Sequence, residues 1–162
     1  MNPRKLRLGF LLAAGAIILS FVNPLSTQQP ALLALTPIWP ILAGAGVLFL
    51  IAAWWLGRVG IGIGLFAAVL AAWSSLVLLN DPSIASSARI GFWMMVIAVW
   101  LATAICVIAL AAMRPIKPAH RRALDLAVPL LFGIVVFYLW EVAVRGFGVS
   151  PVLLPEIGRA HV

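Results

Sequence analysis

Polar residues along the chain fall in short groups, and between them run five long stretches that are almost wholly apolar: 6–22, 37–56, 61–79, 90–113 and 125–144. A helix needs about 20 apolar residues to cross a hydrocarbon core about 30 Å thick, and each stretch is near that length. Within lipid every backbone polar group must be paired internally, so only helices or closed barrels can cross. Barrel strands would alternate apolar and polar side chains; these stretches do not alternate. The pattern therefore predicts an all-α, polytopic integral membrane protein with five transmembrane helices.

The breaks carry turn chemistry. Asn23-Pro24 opens the first loop, which continues through Ser26, Thr27, Gln28, Gln29 and Pro30. Gly57-Arg58-Val59-Gly60 is short enough to predict an antiparallel hairpin of the second and third helices. Asn80-Asp81-Pro82-Ser83 opens another loop, and Arg114-Pro115-Ile116-Lys117-Pro118 closes the fourth stretch.

Composition excludes the other classes. Of 162 residues, 65% are hydrophobic and 9% charged, against about 25% charged in a typical soluble domain. So few charges cannot cover the surface of a soluble fold, and a disordered chain would be poor in apolar residues. The net charge of +7 does not point to nucleic acid, because the basic residues lie scattered between apolar runs rather than on one face. The lone cysteine, Cys106, rules out an intramolecular disulfide and argues against a cysteine-based metal site.

The charges also orient the chain. With a cytoplasmic N-terminus, Arg4, Lys5, Arg7, Arg58, Arg114, Lys117, Arg121 and Arg122 face the cytoplasm, and Arg89, Arg145 and Arg159 face outward. The opposite threading reverses this bias, so the positive-inside rule predicts N-in. The first stretch has the basic start of a signal peptide, but no Ala-x-Ala site follows it, so a retained anchor is expected.

Few side chains in the stretches offer chemistry. Asp125, placed at the start of the fifth helix and four residues after Arg121, is expected to meet the positive end of the helix dipole. Glu141 and Arg145 stand at i and i+4 and can pair across one turn; Glu141 is the one acid placed to lie within the hydrophobic slab. Gly60, Gly64, Ala68 and Ala72 form a small-residue stripe that lets a neighbouring helix approach. The glycine cluster at 60–64 lacks the Lys-Ser/Thr ending of a phosphate loop. Trp39, Trp54, Trp55 and Trp140 fall near helix ends, where an interfacial belt would put them, while Trp73, Trp93 and Trp100 fall in or near the spans. Pro129 can kink the fifth helix, and His120 reads as solvated. No Ser, Cys or His constellation resembles a catalytic centre, so neither an enzyme nor a cofactor is expected.

The run Leu139-Trp140-Glu141-Val142-Ala143-Val144-Arg145, followed by Gly146-Phe147-Gly148-Val149-Ser150-Pro151-Val152-Leu153-Leu154-Pro155, resembles the opening of permease subunits of bacterial ABC importers of the nitrate/sulfonate/taurine type. In that family a first core helix ends in a Leu-Trp-Glu-like turn and an arginine. A proline and a short apolar stretch ending in Leu-Pro follow. The family-pattern residues are then Trp140, Glu141, Arg145, Pro151, Leu154 and Pro155. The resemblance spans about 124–155, and it implies a four-helix extension over 1–122 and the first core helix with its periplasmic segment over 123–155. It also implies a cytoplasmic ABC ATPase, an extracytoplasmic solute-binding protein and a second permease copy as partners in a bacterial inner membrane. The coupling loop with its Glu-Ala-Ala signature is absent from these residues, so the parent is expected to be longer and no solute-contacting residue carries over.

The tail from Ile157 to Val162 matches the translation of a common short-read sequencing adapter in one frame, with a stop as the next codon. Residues 156–162 are therefore expected to be non-native. The alternative to a permease fragment is a small complete membrane protein with a scaffold or assembly role; a neighbouring gene for an ATPase would favour the importer.

Overall fold

The computed structural model describes residues 3–26, 38–55, 57–82, 84–85, 87–113 and 118–149, with the side chains of 118 and 119 left aside. Five helices make up the described chain: α1 (Pro3–Val22), α2 (Trp39–Trp54), α3 (Arg58–Leu78), α4 (Ile90–Ala111) and α5 (Pro118–Gly146). No strand occurs among the described residues. Four of the five, α1, α3, α4 and α5, are long and apolar enough to cross a membrane.

Two helices depart most from the sequence expectation. Helix α2 has 16 residues, a rise of about 24 Å, rather than the 20 residues of 37–56. Pro40 sits in its first turn, where a missing N–H costs nothing, and its last carbonyls are closed by the Trp55 N–H bonding Ile51 O. Gly57 follows at φ 104°, a left-handed conformation that glycine adopts freely, and α3 begins at the next residue. Helix α5 starts at Pro118, seven residues before the expected Asp125. The basic run His120-Arg121-Arg122 has no apolar face, which hid this turn from the hydropathy pattern, yet Arg is a good helix former and Pro suits a first turn. Asp125 thus lies in the second turn, away from the end of the helix dipole, which falls off within the first turn.

Helices α1 to α4 close into a ring in which α1 packs on α2 and α4, and α3 packs on the same two neighbours. Its core is built around Phe10, Phe49, Phe92, Ile17, Leu42 and Met95, each with next to no exposed surface. The Phe10 and Phe49 rings stack with centroids 6.5 Å apart, joining α1 to α2. Polar groups in the ring satisfy themselves locally: Ser20 Oγ donates to Ile17 O, Ser74 Oγ to Leu70 O and Thr103 Oγ1 to Val99 O. Such back-bonding hides a hydroxyl in an apolar setting.

The connections alternate between two ends. At one end the Arg7 guanidinium lies 5.4 Å from the Trp54 ring centroid, a cation–π distance. There Pro3 and Leu6 share a cavity with Gly57, Ile61, Ala109 and Met113. At the other end the loop after α1 meets the start of α4, with Arg89 N–H bonding Leu25 O at 2.9 Å and Gly91 N–H bonding Pro24 O at 3.0 Å. Helix α5 stands outside the ring, against α4 and touching α3.

Candidate functional site

The interest lies where α5 meets the ring. Among the described side chains of α5 only Val142, Val144 and Gly146 are buried, all near its C-terminal end. There Trp93 of α4 is held between two rings, edge-on to Phe92 at 5.5 Å and stacked on Phe147 at 4.5 Å. Toward its start α5 leans off the ring, leaving a cavity of about 440 Å³ between Leu110 and Ala111 of α4, Met113 just past its end, and Arg121, Leu124, Asp125, Val128 and Pro129 of α5. Phe132, Ile134 and Phe137 are each more than 60% exposed, so the ring leaves this apolar face of α5 uncovered.

A polar clamp holds the packed end. The Arg145 Nη2 donates to Leu79 O at 2.7 Å and to Asn80 Oδ1 at 2.9 Å, both at the end of α3. Its Nη1 lies 3.7 Å from Glu141 Oε1, so the i,i+4 pair forms as an ion contact, longer than a hydrogen bond. The other carboxylate oxygen, Glu141 Oε2, is buried and has no hydrogen-bond partner among the described residues. One turn back along α5, Ser75 and Tyr138 share a hydrogen bond of 2.8 Å. A groove of about 450 Å³ runs beside the clamp, lined by Trp73, Leu76, Val77, Asn80, Phe137, Glu141 and Arg145.

The small residues of α3 face two different neighbours. A Cβ on Gly60 would overlap the Trp55 carbonyl oxygen, so the α2–α3 turn needs glycine there; one on Gly64 would overlap the Phe10 ring. Ala68 is buried and Ala72 half-buried, whereas Ala67, Ala71 and Ser75 are all buried. The tight face drifts around the helix because 3.6 residues per turn do not keep step with a spacing of four.

Arg58, Arg121 and Arg122 are exposed at the end that holds the α1 N-terminus, and Trp140 is 41% exposed on the outer face of α5. Arg114, Lys117, Pro151, Leu154 and Pro155 lie outside the described residues, as does the segment 156–162. The structure thus brings Glu141 and Arg145 together and leaves Trp140 apart from them. Sequence reading missed Asn80, Tyr138 and Ser75 as members of this site. The sole tyrosine and the Ser74-Ser75 pair inside apolar runs were the available signals. Among the described residues no three His, Cys, Asp or Glu side chains gather to hold a metal ion.

Comparison with protein-family models, with curated proteins and with solved structures finds no match to this chain.

Proposed function

We propose that the chain is the N-terminal portion of a permease subunit of an ATP-driven importer for a small solute of the nitrate, sulfonate or taurine kind, embedded in a bacterial inner membrane. The observation that carries the proposal is the stance of α5. It stands outside a closed four-helix ring, is packed at one end only, and presents Phe132, Ile134 and Phe137 to its surroundings. A helix so placed suits the first member of a second helical unit, the core in which the Leu-Trp-Glu…Arg resemblance lies. The ring of α1–α4 would be an extension that precedes that core.

The proposed threading has five crossings with the N-terminus in the cytoplasm. Arg4, Lys5, Arg7, Arg58, Arg121 and Arg122 gather at one end with Asp125, whereas Arg89 and Arg145 share the other with Asp81 and Glu141. That asymmetry supports the basic end as cytoplasmic. Helix α2 is short, but exposed Trp39 and Trp55 flank it, and interfacial aromatics with local thinning of the bilayer accommodate a short span. In this reading a cytoplasmic ATPase powers transport, a solute-binding protein delivers the solute and a second permease copy completes the pore.

The test is to recover the chain from membranes of its own host under mild solubilisation. The importer reading expects a polypeptide with a Walker A motif to co-purify with it, and ATP-dependent solute uptake to fall when its gene is deleted. A stable assembly without any ATPase, and unchanged uptake, would contradict it and favour a scaffold role.

A further inference from the structure

The carboxylate of Glu141 is short of hydrogen-bond donors. Among the described residues its Oε1 has the 3.7 Å ion contact with Arg145, and its buried Oε2 has no hydrogen-bond partner. A carboxylate held largely out of water without donors is costly. Arg145 has the opposite surplus. It spends Nη2 on Leu79 O and Asn80 Oδ1, which leaves its Nε–H and Nη1 hydrogens, of five in all, for another acceptor. Beside this pair the groove of about 450 Å³ is walled by Trp73 and Phe137, which are 50% and 65% exposed.

We propose that this groove seats a zwitterionic phospholipid bearing a primary ammonium, with the ammonium on Glu141, the phosphate on Arg145 and an acyl chain along Trp73 and Phe137. Charge complementarity selects this occupant. A primary ammonium brings three N–H donors to the under-satisfied carboxylate, whereas a quaternary ammonium has none. An anionic headgroup such as that of phosphatidylglycerol could set its phosphate on Arg145 but brings no ammonium to Glu141. The last torsion of glutamate is broad and two-fold, so either carboxylate oxygen can turn to the groove. The paired charges sit near the end of α5, where a headgroup lies, and the apolar wall extends toward mid-membrane. The inference rests on the chain crossing the membrane and not on the importer assignment.

The experiment equilibrates the purified full chain with mixed vesicles of phosphatidylethanolamine, phosphatidylcholine and phosphatidylglycerol, then measures the lipid retained by native mass spectrometry. The wild type should retain phosphatidylethanolamine over phosphatidylcholine by about tenfold, the scale of one charge-assisted hydrogen bond. The preference should decline stepwise through the mono- and dimethylated lipids. Glu141→Gln should bring the ratio close to one through loss of retained phosphatidylethanolamine. The methylation series needs no substitution, so it decides the matter even if the variant does not fold. Equal retention of all three lipids by the wild type would overturn the proposal. So would a Glu141→Gln chain that keeps the full preference, or displacement of bound lipid by water-soluble glycerophosphoethanolamine at equal concentration, which would mark a solute site.

Discussion

Arg145 of α5 reaches across to α3 and donates to the carbonyl oxygen of Leu79 at 2.7 Å. That carbonyl belongs to the C-cap of α3, one of the acceptors a helix end leaves without an intrahelical partner. A cation there also meets the negative end of the α3 dipole. The contact therefore satisfies a helix terminus and fixes the C-terminal end of α5 with the same group.

Removing that group should loosen α5 without dismantling the ring. Arg145→Ala is expected to cost about 1–2 kcal/mol, the range for a hydrogen bond to a charged group at a partly exposed site. Arg145→Lys should recover part of the loss, because an ammonium lacks the planar fork that serves two acceptors. Thermal unfolding in detergent, with proteolysis of α5 as a second readout, checks both; equal stability of all three chains would contradict the clamp.

The α2–α3 turn gives a sharper contrast. Gly60→Ala forces a methyl group onto the Trp55 carbonyl and should destabilise by about 1–3 kcal/mol, as overpacking does. Gly62 faces open space, so Gly62→Ala should stabilise by up to about 1 kcal/mol through helix propensity. Opposite signs two residues apart in one helix, read from unfolding curves of the two variants, are the expected result.

Ser75 and Tyr138 should couple measurably. A double-mutant cycle with Ser75→Ala and Tyr138→Phe is expected to give about 0.6 kcal/mol, the average for interhelical hydrogen bonds in membrane proteins. A coupling near zero would mean that each hydroxyl does as well alone, since Ser75 Oγ also donates to Ala72 O at 2.7 Å.

Most of the helical architecture was legible because long apolar runs without period-two alternation form helices. The apolar runs 61–79 and 90–113 lie within three residues of α3 and α4 at either end. Reading failed where the apolar run lapses. His120, Arg121 and Arg122 lie at the polar end of α5, so hydropathy stops where the helix continues. The clamp shows a second limit. The spacing of Glu141 and Arg145 announced their pairing, because i,i+4 geometry is local, but nothing in the spacing of residues 79 and 145 brings the α3 end to Arg145. That contact comes from tertiary packing, in which Trp93 seats Phe147 and Val142 is buried.

The central claim is that the chain threads the membrane five times from a cytoplasmic N-terminus, and cysteine labelling in intact cells tests it most directly. Cys106 is buried and serves as the unlabelled background. Cysteines introduced at Asn80 and Gly148 should react with a membrane-impermeant maleimide from outside, and those at Arg58 and Arg121 only after the membrane is opened. Labelling of Arg58→Cys or Arg121→Cys in sealed cells, with Asn80→Cys and Gly148→Cys protected, would contradict the threading.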